Sequence, residues 1–230
     1  MNSRDKVKRR YQSTLRGAQA QSTREVIINA ATRLFVEQGY ATTSIEEIAE
    51  AAGVSRATVF TSVGGKPTLL KAALDVAIVG DDEPVALPDR PRSLAIRAEP
   101  DPRRYLTLYC ELVTEMGNRL AGIYEAVRGA AGADPDARQL WESHLAQRRQ
   151  GAANVVSDVL RKGGRLRRGV DQKAAADIVW LLNDPGLYHL LVHVRGWAPD
   201  HYRGWLAETM TRQLLPDQDR AGRFRSPGSR

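Results

Sequence analysis

Residues 42–66, TTSIEEIAEAAGVSRATVFTSVGGK, constrain the chain most tightly, because two short helical patterns meet there at a single glycine. Ser44 can accept from the free amides of a first helical turn while Glu47, three residues on, reaches back to it, forming the capping box that opens a helix. Ile45, Ile48, Ala49 and Ala52 then fall on one face of that helix. Gly53 supplies the backbone freedom for a sharp turn, and Ser55 caps a second helix, with Val54 and Val59 at the two positions of a hydrophobic staple. With Val59 turned inward, Arg56, Ala57, Thr58, Thr61 and Ser62 lie on and beside the outer face as small or hydrogen-bonding side chains. Spacing alone fits a helical hairpin inside an ordinary bundle as well as a DNA-reading pair. The outer face favours the second, because a major groove admits one α-helix and its base edges are read by Arg, by hydroxyls and by small apolar groups.

Two short helices cannot bury enough apolar surface to offset their own ordering. Ser22 with Glu25 forms a further capping box, followed by the stripe Val26, Ile27, Ala30, Ala31, Leu34 and Phe35, which predicts a first helix ending at Gly39 and packing on the pair. After the motif, Pro67 fits the first turn of a fourth helix, with Leu69, Leu70, Ala73, Leu74 and Ala77 as its buried stripe. Lys66 stands just before it, where an ammonium can meet a phosphate. Residues 1–21 lack hydrophobic periodicity and read as a flexible basic arm. Up to Arg24, seven cations (Arg4, Lys6, Lys8, Arg9, Arg10, Arg16 and Arg24) stand against Asp5 alone. Such an arm, through Arg9 and Arg10 among others, can reach a minor groove or its phosphates. The net charge of +7 also favours a polyanionic partner.

Residues 80–102 hold five prolines and no sustained period, which places a domain boundary or mobile loop there. Beyond them the chain is helical by period. Asp101 and Pro102 open a helix bearing Tyr105, Leu108, Tyr109, Leu112, Val113 and Met116, and a shorter helix is predicted from Asn118 to Val127. Asp134 and Pro135 start a long amphipathic helix reaching Gly163-Gly164, whose outer face, with Arg138, Arg148, Arg149, Arg161 and Lys162, reads as solvated. From Asp171 to Val194 the pattern is apolar on more than one side, interrupted at Asn183-Asp184-Pro185-Gly186, and Pro199 starts a last helix. These last segments offer one apolar face to their own domain and one to a symmetry mate. The tail after Pro216 is polar and is expected to be disordered.

No apolar run of about 18 residues occurs, so no membrane span is expected. The basic N-terminus leads into no apolar core of a secretory signal, and a cytoplasmic location follows. Cys110 is the single cysteine, unable to form an intrachain disulfide or a Cys-rich zinc site, and reads as a small buried apolar residue. His189 and His193 are four apart, but no HExxH string accompanies them and no metal is expected. GxGxxG, P-loop and GxSxG strings are absent, and neither catalysis nor a cofactor is expected.

The string Ala49, Ala52, Gly53, Val54, Ser55, Thr58, Phe60, Lys66 and Leu69-Leu70 resembles the N-terminal DNA-binding domain of the TetR family of transcriptional regulators. The resemblance is specific over residues 22 to 70 and architectural beyond. It implies an all-α, two-domain homodimer: a three-helix reader over 22–66, and a larger helical domain over 67–216 for ligand binding and dimerisation. It further implies that Thr43 and Ser44 contact phosphate, that the Arg56 to Ser62 stretch, through Arg56, Ala57, Thr58, Phe60, Thr61 and Ser62, faces base edges, and that Lys66 holds backbone. A small molecule in the larger domain then shifts the readers and releases a palindromic operator. Two departures stand out. The family places Tyr where this chain has Phe60, and favours an aromatic at Val63 with a short polar turn in place of Gly64-Gly65. Tyr105, Tyr109, Trp141, His144, Trp180, Asn183 and His189, on or beside inward stripes, are the candidate walls of a site for a small hydrophobic or aromatic ligand. A DNA-binding regulator without a ligand, and an all-helical enzyme with no recognisable motif, are the alternatives the residues leave open.

Overall fold

The computed structural model describes residues 3–217, with side chains from Gly17 onward, and among these residues the chain is helical without strands. Four helices build the N-terminal part: α1 (Ser3–Glu37), α2 (Ile45–Ala51), α3 (Arg56–Ser62) and α4 (Lys66–Val79). Six follow: α5 (Pro91–Ala98), α6 (Pro102–Ala130), α7 (Pro135–Arg161), α8 (Gln172–Leu182), α9 (Pro185–Tyr188), continued by a π-helical turn (His189–Val194), and α10 (Pro199–Leu214).

The starts of these helices follow local chemistry. Asp101 caps α6 by accepting from the amides of Arg103 and Arg104, and Asp134 does the same for Asp136 and Ala137 on α7. Asp171 and Asp184 cap α8 and α9. The Asp-Pro pairs place an acceptor before, and a ring without an N–H inside, the first turn, where four amides lack helical partners.

Two apolar cores result. In the first, Ile27, Ile28, Ala31 and Phe35 of α1 close over Ile48, Val59, Leu69 and Leu70, and the core extends into Leu120, Ile123 and Val127 of α6 and Ala137 of α7. In the second, Leu106, Cys110, Val156, Val159, Val179, Leu206 and Met210 join α6, α7, α8 and α10. Cys110 is fully buried, as its reading as an apolar residue requires. Because α6 and α7 contribute to both cores, a shift along either helix reaches the N-terminal helices by packing alone.

Three expectations are corrected. The helix expected to open at Ser22 instead runs from Ser3, since residues 3–21 are rich in Arg, Lys, Gln and Ala, which favour helix. Thr23 consequently sits inside it, its hydroxyl donating to the Gln19 carbonyl one turn back at 2.9 Å. The proline-rich stretch holds a 3-10 turn (Leu87–Asp89) and then α5, where Pro91 starts a helix and Ile96 anchors it in the second core. The two helices expected on either side of Asn118 are one, α6, passing through Gly117 unbroken. A Cβ on Gly117 would lie 2.6 Å from the Tyr188 ring, so this glycine serves close packing and not a break. The tail, from residue 218, lies outside the described residues.

Candidate nucleic-acid interface and the cavity behind it

The reader is built by its caps. Ser44 Oγ accepts from the Glu47 amide at 3.2 Å while Glu47 Oε2 accepts from the Ser44 amide at 2.7 Å, closing the capping box of α2. These bonds hold the Glu47 carboxyl below the usual range, the Ser44 amide first among them. Gly53 takes φ +66, the left-handed conformation the turn needs. Ser55 then caps α3, accepting from the Thr58 amide at 3.1 Å. Val59 is fully buried under α3 with Val54 packed beside the same core, so both staple positions turn inward.

The opposite side of α3 faces water. Arg56, Ala57, Phe60 and Thr61 are exposed, while Thr58 and Ser62 are half-buried. Thr58 shares its hydroxyl with Ser55 at 2.8 Å, and Thr61 donates back to the Ala57 carbonyl at 3.0 Å. Arg56 pairs with Glu46 of α2 at 2.6 Å, both ends well exposed, and its guanidinium sits 5.7 Å above the Phe60 ring. An exposed pair of this kind contributes little to stability and can be exchanged for another anion at small cost.

Thr43 and Lys66 sit differently from the rest of the predicted set. Thr43 is buried, its hydroxyl donating to the Gly39 carbonyl at 2.8 Å. Lys66 donates to the Ala41 carbonyl at 3.2 Å with its ammonium 4.4 Å over the Tyr40 ring, and partial burial lowers its pKa. Ser44 remains at the start of α2, half-buried. The side chains of Arg9 and Arg10 lie outside the described ones. Arg24, counted with the basic arm, instead joins the reader: it donates to the Ser62 carbonyl at 3.1 Å and pairs with Asp82 at 2.5 Å.

Behind the reader, a cavity of about 680 Å³ opens between α4, the 83–88 segment, α6 and α7. Its apolar wall includes Ile78, Leu112, Val113, Met116 and Leu120, and its polar side is Tyr109, His144, Arg148, Asn183 and Asp184. Three of the seven predicted ligand residues therefore meet there: Tyr109, His144 and Asn183. The other four are engaged elsewhere. Tyr105 donates to Asp158 at 2.9 Å inside the second core. Trp141 stacks on Tyr124, their rings 4.9 Å apart. Trp180 takes the guanidinia of Arg148 and Arg149 at 5.6 and 5.4 Å, and His189 packs on His193 at 5.7 Å.

Arg148 is the wall residue that sequence reasoning misplaced. It was expected on a solvated basic face, but its side chain is 9% exposed and bonded to Asp184 at 2.7 Å. Its position four residues after the inward His144 was the available signal, since residues so spaced share a helix face. Among the described residues no cluster of His, Cys, Asp and Glu could hold a metal. No helix there is long and apolar enough to cross a membrane.

Known proteins match this arrangement. Residues 27–73 fit the family of bacterial regulatory proteins, tetR family. Over 57 residues the chain is 44% identical to the HTH-type transcriptional regulator TtgR of Pseudomonas putida, a stretch covering 25% of this chain and 27% of that regulator. The match to such curated relatives thus spans about a quarter of their length. At the level of structure, the chain is similar to NalD, the secondary repressor of the MexAB-OprM multidrug efflux pump in Pseudomonas aeruginosa, with a TM-score of 0.65, 27% identity and coverage of 87% of this chain and 100% of that one. A transcriptional regulator from Saccharomonospora viridis, solved with choline, has the same fold at a TM-score of 0.65 and 21% identity, over 85% of this chain and 99% of that one. With its capped helix pair, glycine turn and outward α3 on a helical platform, residues 27–73 of this chain carry the N-terminal pattern of the tetR family of bacterial regulatory proteins.

Proposed function

We propose that this protein is a homodimeric, DNA-binding transcriptional regulator, a repressor that leaves its operator when a small apolar molecule fills the cavity behind α4. The observation that carries this reading is the outward side of α3. Arg56, Ala57, Phe60 and Thr61 stand free of the core while Val59 anchors the helix from beneath, so the whole outer face is available to a major groove.

Two features support the remaining parts. Leu181, Leu190 and Val194 are 65%, 56% and 63% exposed along the C-terminal helices, an apolar surface that a second copy would cover. A two-fold dimer makes the operator roughly palindromic, with half-sites about one helical turn, ~34 Å, or a multiple apart. The cavity touches both α4, which leads directly out of the reader, and α7, which shares the first core. The similar regulator from Saccharomonospora viridis holds choline and NalD is a repressor, which agrees with a ligand-responsive repressor here.

Fluorescence anisotropy on fragments selected from the source genome tests the reading. Sequence-selective binding that competitor DNA does not displace is the expected result. Indifferent binding to all fragments, or none at low salt, would remove the regulator. Repeating the titration with a metabolite panel separates a sensor from a regulator acting by occupancy alone.

A further inference from the structure

The polar side of the cavity is closed in charge. Arg148 donates to Asp184 Oδ2 at 2.7 Å, to Asn183 Oδ1 at 3.0 Å, to the Trp180 carbonyl at 2.8 Å and to the Tyr124 hydroxyl at 3.2 Å. Asp184 is equally committed: Oδ1 accepts from the Gly186 amide at 2.7 Å and Oδ2 from the Tyr124 hydroxyl at 3.0 Å as well as from Arg148. At the rim, Asp75 bonds Lys71, and Glu83 lies 3.6 Å from Arg90. His144 adds no charge, since burial, and Arg148 after it, lowers its pKa to about 4. A charged head entering this wall would lose its hydration and find Arg148 and Asp184 already paired, while the rim carboxylates Asp75 and Glu83 stay in water.

Beside this network the Tyr109 hydroxyl is an uncommitted donor. Tyr109 accepts from Asn183 Nδ2 at 2.7 Å, which fixes the direction of its phenol oxygen, while its own O–H has no acceptor among the described residues. Burial pushes the Tyr109 pKa up to about 12, so the proton stays in place at neutral pH. His144 Nε2 and Tyr202 Oη, from residues of the same wall, are likewise buried without a partner.

We propose that this cavity takes an uncharged, largely apolar organic molecule carrying one oxygen that accepts a hydrogen bond from the Tyr109 hydroxyl, and that it discriminates against alkylammonium and carboxylate heads alike. The inference rests on reading the cavity as the sensor site of a regulator. The volume of about 680 Å³ suits such a molecule, because sites for drug-sized ligands run from about 300 to 1,000 Å³. The match to the choline-bound regulator is one of fold, and the charge balance of this wall points away from a cation.

Three probes that share one chain and differ in head group test it: decanol, decanoate and decyltrimethylammonium, each below its micelle concentration. They are added to the full-length protein without DNA, and binding is read by calorimetry and thermal shift. Decanol should bind roughly tenfold or more tightly than either ion. Tyr109→Phe should weaken decanol by about 3- to 10-fold, the value of one hydrogen bond, and leave the two ions unchanged. Met116→Trp, which fills the apolar wall, should abolish decanol binding while a cooperative melt reports an intact fold. An ion binding as tightly as decanol would overturn the proposal. So would decanol binding that ignores both substitutions, or no binding by any probe. None of these outcomes involves DNA, so a failure here is distinguishable from a failure of the reader in anisotropy.

Discussion

The Tyr40 hydroxyl donates to Asp134 Oδ2 at 2.9 Å, joining the loop after α1 to the residue that caps α7. The other oxygen of the same carboxylate accepts from the Asp136 and Ala137 amides at 2.9 and 3.0 Å. One side chain thus ties the reader to the helix that carries His144 and Arg148 into the cavity wall. Tyr40→Phe removes only the hydroxyl and should cost about 1 kcal/mol in urea unfolding. Asp134→Ala, which also removes the cap, should cost about 2 kcal/mol. A double-mutant cycle should return a coupling of about 1 kcal/mol, and strict additivity would show the bond to be idle. The pH dependence has a definite sign. The Ala137 amide first, then Tyr40, hold the Asp134 carboxyl below the usual range. Its contribution is therefore complete above the ordinary carboxylate pKa and is lost as pH falls through the depressed folded value. The stability gap between wild type and Asp134→Ala should narrow on acidification.

His144 titrates in a different window. Burial and Arg148 lower its pKa from 6.5 to about 4, so between these values the unfolded chain binds a proton that the folded one refuses. Stability contributed by the neutral ring is whole above pH 6.5 and drains away toward pH 4. The loss should amount to on the order of 2–3 kcal/mol. His144→Gln should flatten this part of a melting-temperature profile. A wild-type profile already flat there would mean that the folded ring protonates freely.

The reader was legible because its determinants are local. A capping box, a glycine at positive φ and a staple each act within a few residues, and Ser44, Gly53, Ser55 and Val59 take the predicted roles. Longer-range partners were not. Nothing near Arg148 in the chain announces Asp184, and nothing near Gly117 announces the Tyr188 ring that occupies the space of a side chain. Among the aromatics, Trp141 and Tyr109 carry the same inward signal, yet one packs on Tyr124 and the other lines the cavity. Helical period tells which face turns inward but not whether a core or a void lies there. The α5 helix is hidden for another reason: five prolines and no sustained period over residues 80–102 point to a loop, although a proline in the first turn, as Pro91 and Pro67 both are, starts a helix.

Phe60 is 46% exposed on α3 beside Arg56, an apolar ring where the resemblance places a tyrosine. Phe60→Tyr adds a hydroxyl toward solvent without disturbing the core. Operator affinity should rise by about 2- to 10-fold, the worth of one added hydrogen bond to phosphate. The salt slope should stay the same, since a neutral donor displaces no counterion. A loss of affinity would place the ring against an apolar group of the duplex instead.

Leu181 projects from α8 at 65% exposure, and Leu190 and Val194 in the π-helical turn are exposed as well. If a second copy covers it, Leu181→Glu buries a carboxylate at the interface and should shift the protein to monomer in sedimentation at micromolar concentration. Operator affinity should fall with it, because two linked readers bind far better than one. Thermal unfolding of the monomer's own cores should change little, as this side chain belongs to neither. A dimer that survives the substitution would move the interface elsewhere.

Arg9 and Arg10 belong to a run of seven cations set against one anion before the reader's own core begins. With α1 running from Ser3, this charge extends a helix that also carries Ile27 and Phe35 into the first core, so the reader's platform and its basic extension are continuous. Each phosphate neutralised releases condensed counterions, and the logarithm of affinity falls against the logarithm of salt by about 0.9 per contact. Arg9→Gln with Arg10→Gln keeps helix formers at both sites while removing two charges. If both contact the duplex, the salt slope should drop by about 1.8 and affinity should fall on specific and random DNA alike, since such contacts position without reading sequence. Trimming residues 1–20 should flatten the slope further, as it removes Arg4, Lys6, Lys8 and Arg16 as well. An unchanged slope in both variants would assign the DNA charge contacts to the helix pair alone.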